Sequence, residues 1–276
     1  MKAFQFIIAT AAITAFSSCV RNELYDTDHP DHGKVISLTV TWDDRGEGID
    51  IPSAYTAKIG DYAAVLSDTD SGMENLFPAG AYTMNVWNDA ENITVSGTTA
   101  TAAYSNGLIG WLFTGTENVN IEKDKNHAFT VAMRQMVRQL TLELDITGAA
   151  KDRITGIEAS FSGVAGAINI ENGNPEGAAV TVIPVFAQAG GKYSAAIRLL
   201  GITGNAQTLS LTLHFAGGNP STHTLASDLS DRLAAFNADR KTPMTLAAIL
   251  TVTPAEAGFQ AVIGNWTGSG GDIIAN

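Results

Sequence analysis

Apolar and polar residues alternate through stretch after stretch of this chain, a pattern that confines it to half-buried strands. Across residues 35–42, Ile36, Leu38, Val40 and Trp42 fall on one side and Ser37, Thr39 and Thr41 on the other. Tyr82, Met84 and Val86 alternate with Thr83 and Asn85, and Leu209, Leu211, Leu213 and Phe215 with Ser210, Thr212 and His214. Met136, Arg138, Leu140, Leu142, Leu144 and Ile146 share a face opposite Val137, Gln139, Thr141, Glu143 and Asp145, which predicts one long strand with Arg138 at its wet end. This period of two is the mark of a strand with one face in a core. Turn signals separate the strands, among them Glu171–Pro175, Gly190-Gly191 and Gly217–Pro220. With charged residues at only 16% and 27 glycines, the composition suits antiparallel sandwiches better than helices. About fourteen such strands predict an all-β chain of two tandem β-sandwich domains of about seven strands each. The boundary is expected near Arg134–Gln135, giving domains over residues 35–134 and 135–276. No Pro-rich or Ser-rich linker separates them, so they are expected to stack with limited hinge freedom. The one helix expected is Asp228–Phe236, capped by Ser227, with Leu229, Leu233 and Phe236 sharing a face.

The single cysteine, Cys19, rules out an internal disulfide and gives the N-terminus its meaning. Lys2 precedes an apolar run over residues 3–16, too short to span a bilayer, and Ser17 and Ser18 lead into Cys19. This resembles the signal sequence and lipobox of a bacterial lipoprotein, although Phe16 stands where Leu is commonest. The resemblance implies a signal peptide over residues 1–18, cleavage before Cys19, and acylation of its thiol and new amino group. Residues 19–34 then form a polar tether. Stable anchoring takes more than one acyl chain, so the acylated cysteine would hold the protein at a membrane. The alternative is an ordinary secretory signal with a chance cysteine. A formal charge of −12 disfavours nucleic acid, whose recognition needs a basic footprint, and disfavours electrostatic contact with anionic headgroups.

Few residue groups suggest chemistry. Asp26, Asp28, His29, Asp31 and His32 include zinc-ligand types, but in a Pro-containing spacer they read better as a hydrated tether. Asp68, Asp70, Gly72 and Glu74 resemble a truncated calcium loop and lack its third acidic position, so a hairpin turn is the better reading. Nucleophile-elbow, zinc-protease, phosphate-loop and dinucleotide motifs are absent, and no cofactor is expected. Trp42, Trp87, Trp111 and Trp266 are assigned to the cores that two sandwiches require, with sugar stacking as the alternative.

Four patterns then recur in a meaningful order: Cys19 to Trp42-Asp43; Phe77–Tyr82 followed by Val86-Trp87-Asn88; Met133–Leu140; and Phe236-Asn237-Ala238 followed by residues 244–252 and a terminal strand through Trp266. Together they resemble the fimbrillin-like lipoproteins of Bacteroidetes, and within them the FimB-type anchor subunits. The resemblance implies transthyretin-like (Greek-key) sandwiches, partnership with other fimbrial subunits by strand complementation, and attachment to the outer membrane through acylated Cys19. It also makes Arg45 a candidate processing site, since shaft subunits of such pili are cut by an arginine-specific protease after their first strand. Arg45 opens the turn Arg45-Gly46-Glu47-Gly48, expected to be exposed. A cut there gives a polymerising shaft or tip subunit, and an intact site gives an anchor. A plain solvated turn arginine is the third reading. Outside this class stands a lipid-anchored glycan-binding module; an enzyme is not expected.

Overall fold

The structure, a computed structural model, describes residues 24–269. Strands β1 (His32–Asp44), β2 (Tyr55–Ile59), β3 (Tyr62–Leu66), β4 (Leu76–Pro78) and β5 (Gly80–Trp87) come first. The hairpin of β6 (Ile93–Ser96) and β7 (Thr99–Ala102) follows, then β8 (Phe113–Ile121) and β9 (Lys125–Gln135). Seven of these nine form one sheet in the order β3-β2-β5-β8-β9-β1-β4. Its two edges come together: Tyr62 of β3 meets Phe77 of β4 edge-to-face at 5.8 Å. Across the interior, the Tyr55 hydroxyl donates to the Leu38 carbonyl at 3.1 Å. The sheet thus folds over a core holding Leu38, Met84, Phe113 and Val131.

The chain then runs through β10 (Arg138–Thr147), β11 (Ile154–Asn169), β12 (Pro175–Val182), β13 (Ala187–Ala189), β14 (Lys192–Leu199), β15 (Thr208–Phe215) and β16 (Thr222–Asp228). A single helical turn, α1 (Ser230–Leu233), leads to β17 (Met244–Pro254), β18 (Phe259–Ile263) and β19 (Thr267–Ser269). One sheet has the order β13-β14-β10-β17-β18 with β19 also on β17, and the other β16-β15-β11-β7-β6 with β12 also on β11. Leu140, Leu142 and Leu144 of the first pack with Phe161, Leu209 and Leu211 of the second. The architecture is all-β and sandwich-built, as the alternation predicts.

The hairpin β6–β7 lies within residues 35–134 yet pairs with β11, Thr99 opposite Asn169 and Thr101 opposite Ala167. Sheet pairing therefore crosses the expected boundary, although the chain does leave the first sheet at Gln135 and enter the next at Arg138. A separate apolar cluster fills this seam, with Ala100, Leu112, Val137, Ile168 and Leu200 at its centre and Trp87 and Trp111 against it.

Three local expectations fail for identifiable reasons. Ile36 is 51% exposed while Val35 is fully buried. The pairing of β1 with β9 shifts between Val35 and Ser37, so Ile36 is an extra residue and the face before it is inverted. Arg138 is not wet: it is 1% exposed, with its guanidinium 5.0 Å over the Phe236 ring. Finally, the helix is shorter than Asp228–Phe236. Ser227 lies in β16 and accepts the Trp266 indole N–H at 2.8 Å, while the Asp228 carboxylate accepts the Ser230 N–H at 2.9 Å. Leu229, Leu233 and Phe236 are buried as their spacing requires. Among the described residues no helix is long and apolar enough to cross a membrane.

Candidate functional site at the first strand and the seam

β1 is an interior strand. It runs parallel to β9 on one side. On the other it pairs antiparallel with β4 through His32–Lys34, then with residues 71–73, where the Leu38 N–H donates to Ser71 O and the Met73 N–H to Val35 O, each at 2.9 Å. The Asp68–Glu74 segment is thus a turn, closed by backbone hydrogen bonds between Ser67 and Asp70, that runs into an irregular stretch bonded alongside β1. Val35 and Leu38 are buried in the core of this sheet. Withdrawing β1 would uncover these side chains, each worth about 1.5–3 kcal/mol of burial.

Before β1 the spacer is not free. The Thr27 N–H and hydroxyl donate to the Asp124 carboxylate at 3.1 and 2.9 Å, and the Asp26 N–H donates to it at 2.8 Å. Asp26 also pairs with Lys125, and Asp31 with Lys123 at 2.8 Å. Lys123 holds the Asp31 carboxyl below its usual range. These contacts fix residues 26–31 to the turn between β8 and β9. Cys19 lies outside the described residues.

Beyond β1 the chain enters the turn containing Arg45. The Arg45 N–H donates to Trp42 O at 3.1 Å, and its guanidinium donates to the Ile49 carbonyl. Gly46, expected to be exposed, is buried: its N–H donates to Gln135 Oε1 at 2.8 Å. A Cβ added at Gly46 would stand 2.7 Å from the Lys241 carbonyl oxygen, so the loop around Lys241 closes directly over this peptide. Glu47 and Gly48 are exposed.

Gln135 gathers three segments. Its oxygen takes the Gly46 N–H, and its amide donates to Val137 O at 2.9 Å and Arg240 O at 2.6 Å. Three arginines extend this network, donating largely to main-chain carbonyls. Arg134 reaches Glu171 O at 2.6 Å. Arg138 reaches Thr242 O and Phe236 O, both at 2.7 Å. Arg240 reaches Met136 O at 2.6 Å, Gly173 O at 2.9 Å and also Leu200 O. Burial, then the charges of Arg134 and Arg138, push Arg240 down to about 10. Burial alone would raise the Asp239 carboxyl, but hydrogen bonds from Thr242 and Lys241 and the Arg138 charge outweigh it and leave it low. Gln135 continues the buried face of β9 after Val131 and Met133, so its signal is a polar residue where the alternation calls for an apolar one. Arg240 lies in a loop outside any alternation and has no such signal.

All four tryptophans pack against the apolar clusters; the Arg198 guanidinium sits 4.5 Å over Trp111, and Trp42 meets Phe113 edge-to-face at 5.4 Å. Among the described residues, no group of three or more His, Cys, Asp or Glu is placed to hold a metal.

This architecture has solved counterparts. The fimbrial anchor protein Mfa2 from Porphyromonas gingivalis superposes with a TM-score of 0.55 at 13% identity, over 87% of this chain and 98% of that one. A candidate adhesin from Bacteroides ovatus gives 0.57 at 15% identity, over 74% and 85%. A candidate polysaccharide-binding protein from Bacteroides thetaiotaomicron gives 0.53 at 15% identity, over 84% and 96%. At such identities the likeness is one of fold. No curated protein sequence matches. The sequence profile of the fimbrillin-A associated anchor proteins Mfa1 and Mfa2 matches residues 46–267, most of the chain, and the chain belongs to that family of fimbrial and adhesion proteins.

Proposed function

We propose that this chain is the anchor subunit of a fimbrium, held at the outer membrane by acylated Cys19 and retaining its first strand. The observation that carries this reading is the closed turn at Arg45–Gly46. A protease needs several residues in an extended, accessible form. Here the scissile peptide is buried, held by Gln135 on one side and covered by the Lys241 carbonyl on the other. β1, paired on both sides, stays joined through residues 26–31 to whatever lies N-terminal of them. For a subunit that ends a filament at a membrane, an uncut first strand keeps the lipid attached.

Joining to other subunits then proceeds by strand addition at an open sheet edge. Such an edge exists on β14. β13 covers it only at Lys192–Ser194, and among the described residues no strand pairs with that side at Ala196–Leu199.

The test is the N-terminus of protein taken from the cell envelope. Mass spectrometry should find the mature chain beginning at acylated Cys19, with Arg45→Ala without effect on its mass or location. A native chain beginning at Gly46 and recovered in filaments would make it a shaft or tip subunit instead.

A further inference from the structure

β14 is left half-covered by its own chain. β10 pairs with it from Lys192 to Leu199, but on the far side β13 reaches only Lys192–Ser194. In an antiparallel strand alternate residues turn N–H and C=O to the same side. Two of the four residues Ala196–Leu199 therefore point theirs away from β10, where among the described residues no strand takes them. A groove of about 250 Å³ opens along this edge. Ile197, Leu199 and Val182 are its buried floor, and Leu108, Ile183 and Val185 are its exposed rim. Tyr104 forms a fixed wall, its hydroxyl donating to Ala165 O at 3.1 Å and accepting the Leu200 N–H at 3.0 Å.

Unpaired main-chain groups call for an extended backbone, and the side chains around them select its sequence. On β14, Ile197 and Leu199 turn inward while Ala196 and Arg198 turn outward. Arg198 is the one charged residue lining the groove; it lies over Trp111 and donates to Ile109 O at 3.3 Å. Glu91 acts on it only through space, and among the described residues no carboxylate forms an ion pair with it. An acidic residue beside Arg198 gains a cross-strand charge pair, and apolar residues on either side of it fill the groove against Val182 and Ile183. A second copy of β14 fits worse. Laid antiparallel with the same face outward, two such short edges bring their Arg198 side chains opposite or diagonal to each other, and like charges so placed repel.

We propose that the β14 groove takes an extended segment of a different protein chain, one that carries an acidic residue between two apolar ones. The acidic residue meets Arg198 on the outer face, and the apolar pair enters the groove beside Ile197 and Leu199. This rests on strand addition at β14 and specifies the strand that is added.

Three seven-residue peptides test it against the purified protein: Thr-Thr-Val-Asp-Val-Thr-Thr, the same with Lys for Asp, and the same with Thr for both Val. The first should shift the backbone amide resonances of Ala196–Leu199 saturably and bind about tenfold tighter than either of the others. Arg198→Gln should abolish the preference for Asp over Lys. Ile183→Asp, at an exposed position, should weaken the first peptide about tenfold without changing the melting temperature, and it serves if the arginine variant unfolds. Equal binding of all three peptides with the edge amides shifted would overturn the sequence pattern and leave strand addition standing, as would affinities indifferent to both variants. Binding that spares Ala196–Leu199, or no binding by any peptide, would overturn both. A free protein that dimerises with those amides protected from exchange would give the edge to a second copy and overturn the proposal.

Discussion

β1 and β10 occupy the same place in their respective sheets, and only one of them obeys its own sequence. Each runs parallel to a late strand, β1 to β9 and β10 to β17, with an antiparallel neighbour on its other side. β10 pairs continuously, Arg138–Asp145 with β14 and Leu140–Thr147 with β17, with no shift on either side. Its alternation therefore reads directly as burial: Leu140, Leu142 and Leu144 are inside and Thr141 and Glu143 are not. β1 shifts register against β9 twice, and its other side is shared between a three-residue strand and residues 71–73. Full-length neighbours on both sides hold a strand to its period, whereas piecemeal neighbours leave room for an inserted residue.

The largest expected effect lies in the regular strand. Leu142→Ala should cost about 2–5 kcal/mol, because Leu142 is fully buried between two sheets and the surrounding core cannot collapse into the space. Denaturant unfolding at unchanged m-value measures it. A cost below about 1 kcal/mol would show that β10 is no better ordered than β1.

A smaller effect is expected where β1 ends. Gly46→Ala places a methyl group 2.7 Å from the Lys241 carbonyl oxygen, and the loop must move to admit it. The expected loss is about 1–3 kcal/mol, typical of overpacking. The same substitution should speed trypsin cleavage at Arg45, since the turn that shields this bond is loosened. Unchanged stability together with unchanged cleavage would mean that the turn is not closed in solution.

How much of this was legible beforehand follows the same division. The sandwich class, the core face of β10 and the burial of Leu229, Leu233 and Phe236 were written in periodicity, because each depends on neighbours spaced regularly along the chain. The place of Arg138 was not. Its position on the apolar face was visible, but a charge at a strand end reads as solvated unless something supplies acceptors. Those acceptors, Thr242 O and Phe236 O, come from about a hundred residues away and from main-chain atoms, which carry no residue signature. The same holds for Gly46, a turn glycine by sequence and a buried one because of Gln135 and Lys241. The hairpin β6–β7 was hidden for a different reason: its strands are only four residues each, too short for an alternation to stand out, and no pattern within them names β11 across the seam as the partner.

The smallest predicted effect is also the one that separates the two strands most cleanly. Read as an unbroken alternation, residues 35–42 put Ile36 in the core and leave Val35 outside. The bulge reverses this, with Ile36 half in solvent and Val35 at zero exposure. Ile36→Thr should then change stability by no more than about 0.5 kcal/mol, the usual range for a surface substitution. Val35→Thr keeps the shape of the side chain but buries a hydroxyl in an apolar core, at about 1–3 kcal/mol. Measured side by side, the ratio of the two reports the register of β1 without any structure determination. If Ile36→Thr is the costlier of the pair, the strand runs without its bulge, Val35 faces outward, and β1 belongs with β10 as a strand whose sequence can be read at face value.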